Sequence, residues 1–264
     1  MLRTIIPFIC ASTLASGCDQ LAVKTRVHSV APVYAFLDTS ASAAVTPVER
    51  CTELRRPLRR ALKRAASAQV RLVVWRTGSA AAPEPVEVLS TLSPALPRRM
   101  KHDERMRAHA IFVDEVEERC RAKIGGPVDT SPVLRGLRRL VDQAGADLTS
   151  LPPQTTSVST SIWVFSDLRD SDDADLGARF KQLARRRRNR KAGPLPDVAP
   201  LTLDVNEINI EVCGTSQLAP GHHLSGLRSE LVLQAWKPVL GDAVIRPICE
   251  RDDVGNDARK ESNR

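Results

Sequence analysis

The chain has 264 residues, of which 42% are hydrophobic and 27% are charged, so it is long enough and apolar enough to build a folded core. Lysine and arginine outnumber aspartate and glutamate by 39 to 31, which gives a net charge of +8 that is too diffuse to identify an anionic partner. The sequence has no repeat and no long uninterrupted apolar segment, which excludes a collagen, a coiled coil and a multi-span membrane protein.

The first 17 residues have the features of an export signal. Arg3 precedes a mainly apolar stretch that is too short to span a membrane comfortably. The stretch ends in small residues directly before Cys18, and this ending resembles the lipobox of bacterial lipoproteins, in which the cysteine is acylated. The resemblance implies lipidation at Cys18, a tether over residues 18–28 and a location in the bacterial cell envelope, anchored to a membrane and facing the periplasm. An ordinary cleaved signal with a chance cysteine is the alternative.

Apolar periodicity predicts strands that alternate with helices along the rest of the chain. One helix places Leu54, Leu58 and Leu62 on a single face, and a later one has Met106, Ala110, Val113 and Val116 as candidates for its buried stripe. In chain order the predicted elements are a strand at 28–37, a helix at 48–68, a strand at 69–76, a short edge strand at 86–89, a helix at 98–123, a helix at 131–143, a strand at 159–166, a helix at 174–190, a strand at 208–213, a helix at 225–239 and a strand at 243–248.

This alternation is typical of an α/β domain with a largely parallel sheet covered by helices on both faces. We expect one such domain over residues 29–249 and a polar, disordered tail over residues 250–264. In open α/β sheets, ligands bind beyond the carboxyl ends of the strands, so the polar residues there are the candidates for a functional site.

Polar oxygen-bearing residues follow two of the predicted strands and precede one helix. Aspartate and serine are ordinary turn residues, but hydroxyl and carboxylate oxygens are also the hard ligands that suit Mg²⁺, Mn²⁺ or Ca²⁺. If the strands are parallel, the loops that carry these residues meet at one edge of the sheet. The candidates for a metal site are Asp38, Ser40, Ser42, Thr130, Ser131 and Asp167.

The order of these residues resembles a von Willebrand factor type A (VWA) domain with its metal-ion-dependent adhesion site. The resemblance implies a three-layer, Rossmann-like sandwich with a central sheet of about six strands. It also implies direct metal ligation by Ser40, Ser42 and either Thr130 or Ser131, with Asp38 and Asp167 acting directly or through water. We favour Ser131, because Pro132 and the helix that follows match the family's spacing. Leu168 departs from the family, where glycine is common.

Each candidate also has a purely structural interpretation. Asp38 and Ser40 would cap the helix at 48–68 or form an Asx turn, Ser131 would be the N-cap before Pro132, and Asp167 would be a strand-end turn residue. The basic run 185–191 is typical of a solvated helix end, because no aromatic residues interleave it for base stacking, and contact with anionic lipid is its alternative role.

Six cysteines are present, and two of them, Cys10 and Cys18, belong to the signal. The even number that is left predicts two disulfides with three possible connectivities. Cys213 and Cys249 both end strands predicted to be parallel, so we expect them to pair. We expect Cys51 to pair with Cys120, because both lie next to loops at the same sheet edge.

These expectations favour a binding protein that is not an enzyme and does not bind nucleic acid. Its metal, Mg²⁺ or else Mn²⁺ or Ca²⁺, would accept an aspartate or glutamate carboxylate of a protein partner. The alternatives are a structural envelope lipoprotein with a degenerate metal site and a metal-dependent hydrolase. The hydrolase would need a positioned general base or a second metal, and the sequence shows neither.

Overall fold

The first predicted strand is the centre of the sheet. The computed structural model describes residues 28–41, 45–65, 68–97, 99–150, 155–157, 159–168, 174–188, 193–201, 208–213 and 225–241. Strand β1 (His28–Leu37) pairs in parallel with β2 (Gln69–Arg76) on one side and with β5 (Thr160–Phe165) on the other. Its apolar run from Val33 to Leu37 is buried, as expected for a strand that is covered on both faces.

The described strands form one mixed, mostly parallel sheet in the order β3-β2-β1-β5-β6. The edge strand β3 (Val86–Leu92) runs antiparallel to β2, and β6 (Ile208–Cys213) runs parallel to β5. These pairings confirm the α/β prediction with its largely parallel sheet. A short strand, β4 (Thr155–Ser157), pairs with the start of β1 in a segment that was expected to be loop. The predicted strand at 243–248 lies outside the described residues.

Helices pack on the two faces of β1 through alternate residues. Val33, Ala35 and Leu37 belong to one apolar cluster, whereas Tyr34 and Phe36 belong to the other. The first cluster contains residues of α1 (Pro47–Glu53), α2 (Arg55–Ala65) and α3 (His102–Lys123), and the second contains residues of α4 (Val133–Thr149), α5 (Ala174–Arg187) and α6 (Ser225–Leu240). No helix within the described ranges combines the length and hydropathy needed to cross a membrane.

The helix predicted at 48–68 is two helices. Helix α1 ends at Glu53 and α2 starts at Arg55, with Pro57 in the first turn of α2. A proline at position 57 has no N–H to donate to the carbonyl of Glu53, and its ring clashes with that carbonyl in a continuous helix. Helix α1 has its own capping box, in which hydrogen bonds from the backbone and hydroxyl of Thr46 hold the pKa of Glu49 below its ordinary value.

The boundaries of α3 and α4 also differ from the predicted ones. Helix α3 starts at His102, and Met106 is exposed, because the first turns of this helix lie outside the core. Its buried face begins at Phe112 and includes the predicted Val113 and Val116.

Helix α4 starts at Val133 and continues to Thr149, past the predicted end at residue 143. Its last turns are held to the sheet by Tyr34, whose hydroxyl donates a hydrogen bond of 2.8 Å to Asp147. Burial, followed by this bond to the carboxylate, raises the pKa of Tyr34 well above its ordinary value, so the hydroxyl keeps its proton.

A disulfide joins α1 to α3. Cys51 and Cys120 are bonded, with their Cα atoms 5.7 Å apart, and both residues are buried. This confirms the predicted pairing of Cys51 with Cys120. The side chain of Cys213 and the whole of Cys249 lie outside the described part of the chain. The confirmed bond ties together the two helices that flank the candidate site loops.

Candidate functional site

Three loops meet at the carboxyl ends of β1 and β5. Asp38 follows β1 directly, and its N–H donates to the carbonyl oxygen of Phe165, the last residue of β5, at 2.9 Å. Ser166 and Asp167 therefore lie next to the first loop. The remaining loop, residues 125–132, connects α3 to α4. It is joined to the loop after β1 through a parallel bridge between Ser40 and Val128. This is the edge at which the sequence predicted a site.

The carboxylate of Asp38 is the centre of this arrangement. Asp38 is completely buried, and its Oδ1 accepts the N–H of Ser40 at 3.0 Å. Its Oδ2 accepts the hydroxyl of Ser131 at 3.1 Å and the hydroxyl of Ser166 at 2.7 Å. One buried carboxylate thus receives donors from all three loops, and it brings Ser40, Ser131 and Ser166 together.

Asp38 makes the Asx turn that its purely structural interpretation predicts. The hydrogen bond from Ser40 to Asp38 is an Asx turn, so that interpretation is correct and is part of the cluster. Asp38 does not cap α1, because Thr46 is its N-cap. The N-cap position of α4 is Pro132, and the hydroxyl of Ser131, directly before it, donates to Asp38.

Backbone contacts fix the first loop to its neighbours. The N–H of Ala41 donates to Val128 at 2.7 Å, and the N–H of Val128 donates to Thr39 at 3.0 Å. On the other side, the N–H of Thr39 donates to the hydroxyl of Thr77 at 3.0 Å, and the two threonine hydroxyls lie 2.6 Å apart. Thr77 follows β2 directly. Its position at the end of a predicted strand could have identified it as a residue of this sheet edge, but it was not among the candidates predicted from the sequence.

A buried arginine supports the same loop from α1. Arg50 is only 1% exposed, and its Nε donates to the backbone carbonyl of Asp38 at 3.3 Å. Its Nη1 donates to Glu53 at 2.9 Å, which pairs the charge. Nothing in the sequence distinguishes Arg50 from the arginines that follow it on α2, so sequence reasoning missed it.

The loop after β5 has an unusual backbone conformation at Leu168. Its φ is +58°, in the left-handed region that favours glycine, and a side chain there costs roughly 1–2 kcal/mol. The hydroxyl of Ser166 accepts the N–H of Leu168 at 2.9 Å, and Nε1 of Trp236 on α6 donates to the Leu168 carbonyl at 2.8 Å. These bonds and the burial of the leucine side chain hold the turn that places Asp167, itself only 7% exposed.

Thr130 differs from the other candidates. Its hydroxyl oxygen is buried and has no hydrogen-bond partner among the described residues. An unsatisfied buried hydroxyl is costly, which makes it a good candidate for an external partner. The structure therefore places Thr130 and Ser131 in different roles, one with a free hydroxyl and the other bound to Asp38.

The donor set fits a hard divalent cation. Within the described ranges, no three histidine, cysteine, aspartate or glutamate residues form a cluster that could hold a metal, so hydroxyl oxygens would supply most of the ligands here. A serine that donates its proton to Asp38 still has lone pairs for a cation, and the free hydroxyl of Thr130 has them as well. Ser42 lies outside the described residues.

Comparison with known proteins identifies no family. No protein family model matches the chain, and no curated protein matches it. Among solved structures, proximal thread matrix protein 1 from the mussel byssus is similar at 9% identity with a TM-score of 0.37, over 72% of this chain and 38% of that protein. The conserved hypothetical protein BatB from Bacteroides thetaiotaomicron is similar at 14% identity with a TM-score of 0.31, over 70% of this chain and 66% of BatB. The chain thus spans less than two thirds of each, and similarities this low show neither a family nor a function.

Proposed function

We propose that this chain is an exported, lipid-anchored binding protein of the VWA type, in which a divalent metal at the Asp38 cluster accepts a carboxylate from a protein partner. The observation that carries the proposal is the buried Asp38 carboxylate, which receives hydroxyls from two other loops at the carboxyl ends of parallel strands. The helices on both faces of the sheet are consistent with the three-layer sandwich of that family.

Some residues of the cluster would bind the metal, and Asp38 would orient the hydroxyl groups that bind it. Ser40 and Ser42, with Ser131 or Thr130, would offer neutral hydroxyl oxygens, and Asp167 would offer a carboxylate. Asp38 would orient the hydroxyls, because both of its oxygens already accept donors from the loops. A bound Mg²⁺, Mn²⁺ or Ca²⁺ would supply an electrophilic position for the partner's carboxylate, since neutral oxygens reduce its charge little.

Binding is favoured over catalysis by what surrounds the cluster. The described residues of the three loops include no histidine, cysteine or lysine, and their only carboxylates belong to Asp38, Asp129 and Asp167. Asp38 already accepts three hydrogen bonds, Asp129 is exposed, and the proposal assigns Asp167 to the metal. A metal-dependent hydrolase would need a further general base next to Asp38. We therefore propose a non-enzymatic role, without nucleic acid as a partner.

The proposed location in the cell envelope is supported by the cysteines. Disulfides persist in oxidising compartments such as the bacterial periplasm, and Cys51–Cys120 is a buried disulfide of this kind. Together with the signal-like segment at 1–17, this supports a chain that faces the periplasm and is held at a membrane through Cys18.

Calorimetric titration of the purified chain with Mg²⁺ and with Mn²⁺ tests the proposal without a partner. We expect one site in the wild-type chain and a 10–100-fold lower affinity in Asp38→Asn, since groups that orient metal ligands typically contribute that much. The matched control is Asp142→Asn, which removes the same charge from an exposed position on α4. Circular dichroism checks that each variant is folded.

Two further variants separate the candidate ligands Thr130 and Ser131 of the loop at residues 125–132. If Thr130 is the ligand, Thr130→Val lowers metal affinity and leaves stability unchanged or higher, because the free hydroxyl has no partner to lose. If Ser131 is the ligand, Ser131→Ala lowers metal affinity and also loses its bond to Asp38. A wild-type chain that binds neither ion would show that the metal site is degenerate, and the proposal would be wrong.

A further inference from the structure

A cavity lies between α2 and the sheet, away from the Asp38 cluster. Its volume is about 200 Å³. The sheet side is formed by the amino-terminal half of β1, by β5 and by β6, whereas Asp38 and Ser166 follow the carboxyl ends of β1 and β5. The cavity is therefore separate from the proposed metal site, and an inference about it does not depend on that proposal.

Small side chains on facing elements leave this space open. Ala61 and Ala65 lie on the face of α2 that covers the cavity, and Ala31 and Ser161 lie below them on the sheet. Ser161 pairs with Val33 of β1 and with Asn209 of β6, so the floor crosses three neighbouring strands. Because no large apolar residue fills this position, the floor presents a hydroxyl and an amide next to the indole of Trp163.

Arg60 is the residue that indicates what the cavity binds. Its Nη2 is buried and has no hydrogen-bond partner among the described residues, although it lines the cavity. Arg64 also lines it, but Arg64 is 64% exposed and lies 3.9 Å from Glu211, which is a loose ion pair. A buried guanidinium nitrogen without a hydrogen-bond partner is unfavourable, and an anion in the cavity would accept its hydrogen bond.

The charges and the lining residues of the cavity favour a singly charged carboxylate over other anions. With Glu211 already beside Arg64, the two arginines leave one positive charge unmatched, which suits a single negative charge better than a doubly charged phosphate. A guanidinium binds a planar carboxylate through two parallel hydrogen bonds. The hydroxyl of Ser161 and the amide of Asn209 are further donors, and Val33 and Trp163 offer apolar contact to a hydrocarbon body.

We propose that this cavity binds a small organic carboxylate, with its charged end on Arg60 and its apolar body against Trp163. Benzoate is a probe of this class, benzamide is its neutral counterpart of nearly the same shape, and inorganic phosphate is the competing anion. Saturation-transfer NMR and calorimetry on the full chain measure all three. We expect benzoate to bind at least tenfold more tightly than benzamide and phosphate, with or without Mg²⁺.

Variants of α2 locate the binding. Arg60→Met should lower benzoate affinity at least tenfold, whereas Arg59→Met, which removes the same charge from an exposed position of the same helix, should leave it unchanged. Arg60→Met should also melt at the same temperature as the wild type or higher, because the buried Nη2 has no hydrogen bond to lose among the described residues. An arginine with a purely structural role would instead lower the melting temperature when replaced.

A second variant keeps the charge and removes the space. Ala61→Leu places a larger side chain in the cavity and should abolish benzoate binding while Arg60 stays in place. The proposal is overturned if the wild-type chain does not bind benzoate at millimolar concentration, or binds benzamide or phosphate equally well. It is also overturned if either Arg60→Met or Ala61→Leu binds benzoate with wild-type affinity.

Discussion

Arg50 shows how a single residue supports the site without belonging to it. Its guanidinium is 1% exposed and donates both to the backbone of Asp38 and to Glu53. Replacing it leaves the carboxylate of Glu53 and the carbonyl of Asp38 without their donor. We expect Arg50→Met to lower the free energy of unfolding by roughly 2–3 kcal/mol, less than for a fully buried pair because Glu53 keeps 13% exposure.

Urea denaturation measures this effect, with Arg56→Met as the control. Arg56 lies nearby on α2 but is exposed, so its loss should change the unfolding free energy by less than about 0.5 kcal/mol. If the Arg50 variant were as stable as this control, the first loop would be held by Thr77 and Val128 alone.

The predicted residues of the candidate site either follow a strand or lie at the start of a helix. Asp38 and Asp167 follow apolar runs, and Ser131 is the first residue of a predicted helix. Ser166 donates to Asp38 but was not among the candidates, although it ends the apolar run of β5. Arg50 acts through a backbone carbonyl, and a backbone contact leaves no pattern in a sequence. Only the resemblance favoured Ser131 over Thr130, because the packed loops determine which hydroxyl reaches Asp38.

At the scale of elements, the packing of α4 on β1 shows what a single small residue contributes. A Cβ atom on Gly136 would lie 2.2 Å from the ring of Phe36, so any side chain there would force either the buried ring or the helix to shift. Glycine permits the close approach that carries the start of α4, and with it Ser131, to the end of β1. The sequence identified this helix but gave no reason for the glycine.

The disulfide between α1 and α3 contributes to stability through the length of chain that it closes. Cys51 and Cys120 are 69 residues apart, and the chain-entropy model assigns a loop of that size roughly 4 kcal/mol. We expect the Cys51→Ala/Cys120→Ala variant to lose about 3–4 kcal/mol of unfolding free energy and to retain its fold at low denaturant.

Peptide mapping without reduction provides the control for this prediction. It should find the Cys51 peptide linked to the Cys120 peptide in the wild-type chain. A link from either one to Cys213 or Cys249 would contradict the pairing, and equal stability of the variant and the wild type would show that the bond does not constrain the unfolded chain.

For the whole molecule, the class of fold could be predicted better than the boundaries of its elements. The apolar runs of β1, β2 and β5 are long and continuous, so they identify buried parallel strands. The break between α1 and α2 was missed because the apolar stripe continues through Leu54 and Leu58 on both sides of it. Apolar periodicity predicts which face of a helix is buried, but it does not predict where the backbone ends one helix and starts the next.

Attachment to a membrane is a prediction about the whole chain. Small residues lead into Cys18, which fits lipoprotein processing. Intact-mass analysis of the protein from membranes should show loss of residues 1–17 and a lipid adduct on Cys18. The Cys18→Ala variant should fractionate with soluble protein. An uncleaved amino terminus, or a variant that stays with the membrane, would contradict the prediction.

The central position of β1 has a consequence for the order in which the protein is made. Val33 of β1 has one partner on each side, and the two are synthesised at very different times. Its β2 partner Leu72 is made early, whereas its β5 partner Ser161 is made much later. At ribosomal rates of about 5–20 residues per second, that second partner arrives on the order of ten seconds after β1. During this interval the nascent sheet is incomplete and its core is open. The sheet therefore closes only after more than half of the chain has been synthesised, because β1 cannot pair with β5 before then.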